Sequence, residues 1–146
     1  MNTKGNKFGR YAAPTGAEAE VEPGSRGRVL RNLKGITRKS AMDKLEFEAL
    51  VRVQEKYLNL IEPTTFFTAK LIRTMHRDWL GKIYGWAGKY RTVEMTKGEF
   101  TWPPAYLVEQ NMGIFESTIL KNKTPCQPGT IARIAFDIAE VHAEFF

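Results

Sequence analysis

The stretch KIYGWAGKYRTVEMTKGEFTWPP, residues 82–104, decides the fold, because a helical pattern stops there and an alternating pattern begins. Residues 81–90 hold three aromatic residues and three glycines, which indicates a tightly packed, irregular turn. Residues 91–95 and 99–102 then have the pattern of two short strands. Lys97-Gly98 suits the turn between them, since glycine adopts positive φ without steric cost. We therefore predict one β-hairpin over about residues 91–102, which needs further structure to pack against.

Helical periodicity surrounds this hairpin on both sides. Before it, Ser40 can cap a first helix, and Pro63 separates that helix from a second one. After it, Pro103-Pro104 precedes a third helix, and a loop over residues 121–128 leads to the last. The predicted helices cover residues 41–60, residues 64 or 65 to 80, residues 105–120, and the chain from Gly129 or Thr130 onwards. The sequence thus predicts a mainly α domain that carries a projecting hairpin.

Positive charge is concentrated in the first 40 residues, which hold nine Lys and Arg and three Glu. This excess of six equals the net charge of the whole chain, +6, so the remainder is neutral. We predict a basic, extended N-terminal arm over residues 1–40 and a helical domain over residues 41–146. A basic arm can bind nucleic acid. A solvated lead-in segment is the favoured interpretation, because the basic residues follow no helical or strand period.

Composition excludes several classes of protein. The single cysteine, Cys126, permits no disulfide within the chain and is interpreted as an ordinary loop thiol. No apolar run reaches the ~18 residues of a membrane span, and the N-terminus lacks the apolar core of a secretory signal. We therefore expect a cytoplasmic protein without a membrane partner. His76 has no second His, Cys or acid at ligand spacing, which argues for a packing role and against a metal site.

Motifs for self-contained catalysis are missing from the sequence. It contains neither a GxxxxGK[ST] phosphate loop nor a GxGxxG after a strand, and no Ser, His and Asp at a spacing that suggests a triad. The residues alone therefore predict an α-rich domain with a hairpin and no active site.

Several segments carry a resemblance to a known family. MHRDWLG at residues 75–81 and YGWAGKYR at residues 84–91 are followed by the hairpin pattern, and IAEVHAEFF occupies residues 138–146. RVLRNLKGITRKSAMDKLEFEAL, residues 28–50, precedes them. In this order the segments resemble the Fic/Doc (Fido) family of AMP-transferring proteins. The resemblance covers most of the chain, is weakest at the N-terminus, and implies a Fic-type helical bundle with one short hairpin.

The resemblance implies a specific chemistry. Fic proteins transfer AMP from ATP to a hydroxyl of a target protein, using a loop that reads approximately HPFxEGNGR. Its His acts as general base, its acid holds Mg²⁺, its Gly-Asn-Gly amides cradle the phosphates and its Arg clamps the departing pyrophosphate. ATP and Mg²⁺ are thus the implied cofactors. In the family, this loop lies a few residues beyond a segment like IAEVHAEFF.

The 146 residues contain no such loop. We therefore expect a Fic domain that is incomplete at its C-terminus and inactive alone, and we assign no catalytic residue and no metal ligand. His142 matches the helical histidine that precedes the loop in the family. Because AEFF follows His142 instead of PFxEGNGR, it receives no base role.

The resemblance also implies a surface that binds the target protein. The hairpin corresponds to a flap that holds a target segment as an added strand through backbone hydrogen bonds. The residues assigned to it are Thr92, Val93, Glu94, Met95, Thr96, Lys97 and Gly98. Many Fic proteins are restrained by an (S/T)xxxE(G/N) motif, but no Ser or Thr here has Glu four residues later. An antitoxin-like inhibitor is therefore a further expected partner.

Two alternatives to the transferase stay open at this point. The chain can be a non-catalytic module that binds a partner protein through its hairpin and its last helix. It can also bind nucleic acid through the basic arm, which is the least favoured hypothesis. The apolar last helix predicts self-association in all of these cases.

Overall fold

The computed structural model describes residues 18–125 and 129–145, and it is mainly helical with one antiparallel hairpin, as predicted. Cys126 lies outside the described residues. In chain order the elements are α1 (Lys39–Leu60), α2 (Ala69–Leu80), β1 (Thr96–Lys97), β2 (Phe100–Thr101), a 3₁₀ turn (Ala105–Leu107), α3 (Val108–Phe115), a π-helical turn (Glu116–Leu120), α4 (Lys121–Lys123) and α5 (Ile131–Phe145). Within these residues, no helix is long and apolar enough to cross a membrane.

Helix α1 begins slightly earlier than predicted. Arg38 is its N-cap and accepts the N–H groups of Ala41 and Met42 at its carbonyl oxygen, both at 3.1 Å. The predicted capping residue, Ser40, therefore lies inside the first turn. The helix ends at Leu60, as predicted, three residues before Pro63.

Helix α2 begins at Ala69, so the predicted start at residues 64 or 65 is wrong. Thr65 donates its N–H to the carbonyl of Glu62, and its hydroxyl accepts the Glu62 N–H, both at 2.9 Å. This closed turn holds the chain outside helical geometry. Thr68 is the actual cap, since its hydroxyl accepts the N–H of Leu71 at 3.0 Å.

The core lies between α1, α2 and the irregular segment that follows α2. It consists of Val29, Met42, Ala49, Leu80, Ile83, Tyr84 and Ala87, with Trp79 and Trp86 packed against it. Burial of a residue such as Ile83, which is 2% exposed, stabilises the fold by roughly 1.5–3 kcal/mol. Two hydrogen bonds join this core to Glu46 of α1. The indole N–H of Trp79 donates to the backbone carbonyl of Glu46 at 2.9 Å, and the hydroxyl of Tyr84 donates to the Glu46 carboxylate at 2.5 Å.

Residues 18–38 pack on this core before α1 begins. Val21 and Leu30 form an isolated antiparallel bridge, and Ser25 and Val29 are buried. The N–H of Leu33 donates to the carbonyl of Ile83 at 2.8 Å, which ties the segment to the residues after α2. The division of the chain at residue 40 into an arm and a domain stays a prediction.

The third predicted helix is a composite element that extends past its predicted end. The 3₁₀ turn, α3, the π-helical turn and α4 follow one another without a break, so residues 121–123 are helical and the predicted loop starts later. Helix α5 starts as expected, after Thr130, whose hydroxyl accepts the N–H of Arg133 at 3.3 Å. An ion cluster joins α4 to α5: Lys123 Nζ lies 3.1 Å from Asp137 and 3.0 Å from Glu140.

Candidate functional site

The hairpin projects from the segment between α2 and the 3₁₀ turn. Thr96 pairs with Thr101 and Lys97 with Phe100, and the Trp102 N–H extends the pairing to the Met95 carbonyl at 3.0 Å. The turn residues are Gly98 and Glu99, one position later than predicted. Gly98 has a φ of +62°, and positive φ at the first central residue alone is the type II′ arrangement, which matches the twist of paired strands. The regular strands are accordingly shorter than the two predicted runs.

The base of the hairpin is fixed by side chains that bind backbone groups. Arg91 donates one guanidinium N–H to the Val93 carbonyl at 2.7 Å and another to the Pro103 carbonyl. The carboxylate of Glu94 accepts the N–H of Ala105 at 3.0 Å, and Val93 is buried. These contacts hold both legs of the hairpin against the start of the 3₁₀ turn.

One edge of β1 is open over part of its length. Backbone groups alternate in direction along a strand, and Met95 and Lys97 face β2, so the N–H and carbonyl of Thr96 point away from it. Within residues 18–125 and 129–145, no hydrogen bond occupies these two groups. This is the geometry that an added strand requires.

The seven residues assigned to the flap do not have equal surroundings. Thr92 is already engaged, since its N–H and its hydroxyl donate to the two carboxylate oxygens of Glu18 at 3.0 and 2.8 Å. Val93 is buried and its carbonyl is bound by Arg91. The open part of the edge is therefore centred on Thr96. Sequence reasoning did not predict the role of Glu18, because its separation of 74 positions from Thr92 leaves no local signal.

An aromatic cluster surrounds His76. Its Nδ1 accepts the N–H of Gly88 at 3.0 Å, its ring stacks on Trp86 with 5.9 Å between centroids, and Trp86 stacks on Tyr84 at 4.7 Å. An imidazole that accepts at Nδ1 is neutral and carries its proton on Nε2. Burial lowers the pKa of His76, which favours the same neutral form. His76 therefore has the packing role that its sequence context suggests.

An apolar cleft of about 390 Å³ opens between α2, the π-helical turn and α5. Its walls include Phe67, Ile72, Phe115, Ile138 and Phe145. His142 also lines this cleft. The part of the chain that the structure describes contains no group of three or more His, Cys, Asp or Glu side chains that could hold a metal ion.

Comparison with known proteins gives a match in structure only. No family model and no curated protein matches the sequence. Solved structures that match include the N-terminal Fic domain of a VirB-translocated effector protein from Bartonella sp. AR 15-3, with a TM-score of 0.65 at 17% identity over 79% of this chain and 57% of that one. They also include the Fic domain of Bep5 from Bartonella clarridgeiae, with a TM-score of 0.58 at 20% identity over 82% of this chain and 58% of that one.

The chain thus spans a little over half the length of each of these solved structures. The likeness covers about four fifths of the chain itself, and the helical elements and the hairpin agree with what the sequence patterns predicted. The chain therefore adopts the fold of a Fic domain.

Proposed function

We propose that this chain is the target-holding part of a Fic-type protein AMP transferase. The Fic fold supports this proposal, and so does the sequence resemblance around residues 75–102. In this proposal, the hairpin binds an extended segment of a target protein and places a hydroxyl for modification. Binding of this kind uses backbone hydrogen bonds and is therefore only weakly dependent on the target sequence.

The observation that carries the proposal is the open edge of β1 at Thr96. Its N–H and carbonyl face away from β2 and can pair with an added strand. The side-chain contacts at the base of the hairpin keep this edge ordered before a target arrives, which lowers the entropic cost of binding. Of the seven residues assigned to the flap, Glu94 to Lys97 provide the surface that a target segment contacts.

ATP and Mg²⁺ are the cofactors of this proposed activity, but the residues present do not fit them. The 146 residues contain no HPFxEGNGR loop, and the described ranges 18–125 and 129–145 contain no carboxylate and imidazole cluster that suits a metal. No step of the reaction is therefore derived through the nucleotide. We propose that these residues bind the target and that AMP transfer needs the additional loop.

Labelling in a cell lysate with Mg²⁺ and ATP that is radioactive at its α-phosphate tests this proposal, because this phosphate stays with the transferred AMP while pyrophosphate leaves. The 146-residue chain is compared with an extended chain, in which a segment that supplies an HPFxEGNGR loop is fused after Phe146. We expect AMP to become attached to protein hydroxyls only with the extended chain. Labelling by the short chain alone, or by neither chain, would contradict the proposal.

The apolar cleft favours a second candidate function, a non-catalytic module that binds a partner protein. The lining of this space of about 390 Å³ exposes almost entirely apolar atoms, and Ile138 on its wall is 55% exposed. An antitoxin-like inhibitor is a proposed partner in either case, and the cytoplasm is the proposed location. Normal AMP transfer by an extended chain whose cleft is filled by an Ile138→Trp substitution would argue against a binding role of the cleft in the reaction.

A further inference from the structure

A basic groove lies between α1, α2 and the loop that precedes α1. Its volume is about 630 Å³. Five cationic side chains line it, from three separate parts of the chain: Lys34, Arg52, Lys56, Arg77 and Lys82. The tertiary fold alone brings these positions together, and neither the hairpin nor the apolar cleft shares a lining residue with the groove.

Among the residues that the structure describes, one of the five cations, Lys56, has a carboxylate partner. Asp78 is the one acidic residue among those that line the groove, and its Oδ2 lies 2.6 Å from Lys56 Nζ and accepts the Tyr57 hydroxyl at 2.8 Å. Bonds from Lys56 and Tyr57 lower the pKa of Asp78, so this carboxylate is ionised and already engaged. Glu48, one turn before Arg52 on α1, lies 3.9 Å from Lys44 instead.

Four positive charges in the groove thus have no carboxylate at ion-pair distance among the described residues, and of these four Arg77 is the one whose charge also acts on the ionised Asp78. Lys34, Arg52, Arg77 and Lys82 are exposed, and none of them forms an ion pair with the described residues. Like charges in one concave surface repel one another and concentrate a positive potential there. A bound anionic partner would relieve this repulsion, so the groove favours ligands of negative charge.

The floor of the groove is apolar. Leu45, Ala49 and Val53 follow one another at four-residue spacing on α1. A row of this kind runs for about 12 Å along a helix, at 1.5 Å per residue. Aliphatic side chains of a ligand can cover such a row, whereas phosphates gain nothing from it.

The floor also distinguishes a protein partner from a nucleic acid. Single-stranded nucleic acid is held by aromatic rings on which its bases stack. The aromatic residue that lines the groove is Trp79, whose ring packs against the core and whose indole N–H donates to the Glu46 carbonyl at 2.9 Å. The groove therefore offers cations and aliphatic surface, which match carboxylates and aliphatic side chains.

We propose that this groove binds an acidic, amphipathic segment of a partner protein. The aliphatic side chains of the segment cover the row on α1, and its carboxylates pair with Lys34, Arg52, Arg77 and Lys82. This site is separate from the hairpin edge, and it does not depend on AMP transfer.

A fluorescein-labelled peptide built from Leu and Glu in helical repeats is a suitable probe, measured by fluorescence anisotropy with the 146-residue chain. The groove variant carries Lys34→Gln, Arg52→Gln, Arg77→Gln and Lys82→Gln. Glutamine removes the charge and shortens the side chain but keeps Cβ and Cγ, the Arg77 atoms that lie nearest to Gly88. The matched control carries Arg28→Gln, Lys70→Gln, Lys89→Gln and Lys121→Gln, four exposed positions outside the groove.

We expect the groove variant to bind the peptide at least about tenfold more weakly, which corresponds to ~1.4 kcal/mol. The control variant should stay within about twofold of the unmodified chain. Circular dichroism establishes that both variants fold. A second measurement needs no variant: affinity of the unmodified chain for the peptide should fall with added salt, and a Leu and Lys peptide should not bind.

Three results would overturn the proposal. The first is no binding of the acidic peptide by the unmodified chain. The second is an equal loss in both variants, which would mean that overall charge and not the groove attracts the peptide. The third is tighter binding of an oligothymidylate strand that is lost in the groove variant, which would make the groove a nucleic-acid site.

Discussion

Gly88 lies where two elements approach too closely for any side chain. A Cβ placed there would be 2.6 Å from the Cβ of Arg77 and 2.9 Å from the carbonyl oxygen of Arg73, and its φ is +78°. Its own backbone is fully used, since its N–H donates to His76 and its carbonyl accepts the Arg73 side chain. This residue therefore joins α2 to the segment that leads into the hairpin.

Gly88→Ala should destabilise the protein more than Gly27→Ala does. Both glycines have positive φ, +78° and +74°, but a Cβ at Gly27 would meet nothing within 4 Å. Positive φ alone costs an alanine about 1–2 kcal/mol, and a clash in packed surroundings adds about 1–3 kcal/mol. Urea unfolding of both variants measures the difference, and equal losses would show that the contact with Arg77 relaxes freely.

His76 should make the stability depend on pH in a defined window. Burial lowers the pKa of His76 below its ordinary value of 6.5, so the unfolded chain binds a proton more readily than the folded one. The contribution of neutral His76 to the free energy of unfolding is therefore complete above pH 6.5, and it is lost as the pH falls through the lowered pKa. The free energy of unfolding changes by at most ~1.4 kcal/mol per pH unit in this window.

Urea unfolding at about pH 7.5 and about pH 5.5 tests this dependence, with His76→Gln as the comparison. Glutamine can still accept the Gly88 N–H but does not titrate in this range. The unmodified chain should lose more stability between the two pH values than the variant does. An identical loss in both proteins would place the titration elsewhere.

At the scale of the element, the hairpin has two edges that differ in their expected role. Thr96 and Thr101 form a non-hydrogen-bonded pair, so the N–H of each residue points away from the other strand of the hairpin. Thr96→Pro removes the N–H on the proposed target edge of β1, and Thr101→Pro removes the equivalent group on β2. Proline is tolerated at such outward positions of edge strands.

In the labelling assay with the extended chain, Thr96→Pro should lower AMP transfer to target proteins at least about tenfold, or ~1.4 kcal/mol, while Thr101→Pro stays within about threefold. Melting temperatures of both variants control for folding. A larger effect of Thr101→Pro would assign the target strand to the β2 edge.

The ion cluster around Lys123 should decide whether α5 stays attached to the preceding helices. The hydrogen bond from Lys123 lowers the pKa of Asp137 below its ordinary value of 3.8. The ionised carboxylate therefore stabilises the fold above pH 3.8, and this stabilisation is lost as the pH falls through the lowered pKa. Lys123→Met leaves Asp137 and Glu140 without this partner. We expect faster amide hydrogen exchange in α5 near neutral pH, and a smaller difference from the unmodified chain at acid pH.

The matched control for this substitution is Lys39→Met, which breaks the exposed pair of Lys39 with Asp43 in the first turn of α1. Exposed pairs of this kind contribute little, so the control should exchange like the unmodified chain. Unchanged exchange in α5 of the Lys123 variant would mean that apolar packing alone holds the helix.

Sequence patterns predict that these elements exist better than they predict the residues at which the elements begin and end. Periodicity placed all the long helices, and the helix that follows Thr130 starts where its cap indicates. The start of α2 failed because the Glu62–Thr65 turn competes with the helix for the same backbone groups. The limits of the first strand failed because side chains occupy backbone groups that the pattern assigns to it: Arg91 binds the Val93 carbonyl, and Glu18 binds the Thr92 N–H.

At the scale of the whole molecule, the sites arise from contacts that sequence order does not reveal. The hairpin residues could be named in advance from the family resemblance, but the bond between Glu18 and Thr92 spans 74 residues. The basic groove likewise combines Lys34 with Arg52 and Lys82, and the N-terminal charge excess gave no indication of it. Four of the five groove cations belong to the part of the chain after residue 40, which has no net charge, and they form a basic surface only once α1 and α2 pack.

The exposed apolar residues of α5 should make the protein self-associate. Ile131, Phe136 and Ile138 are 87%, 60% and 55% exposed on this helix. Burial of one such side chain between two copies brings up to ~1.5–3 kcal/mol. Sedimentation equilibrium over a range of concentrations should therefore show association, and the Phe136→Ser, Ile138→Ser double variant should weaken it at least about tenfold, or ~1.4 kcal/mol.

The control is a double variant on α1, Leu58→Ser and Leu60→Ser, at positions that are 76% and 57% exposed. It removes a similar apolar area from a different helix, so it separates the α5 face from general surface hydrophobicity. If both variants weaken association equally, contact between copies is unspecific. If the unmodified chain sediments as a monomer at every concentration, the exposed face of α5 is too small to drive association, because ordering two surfaces costs more than their burial returns.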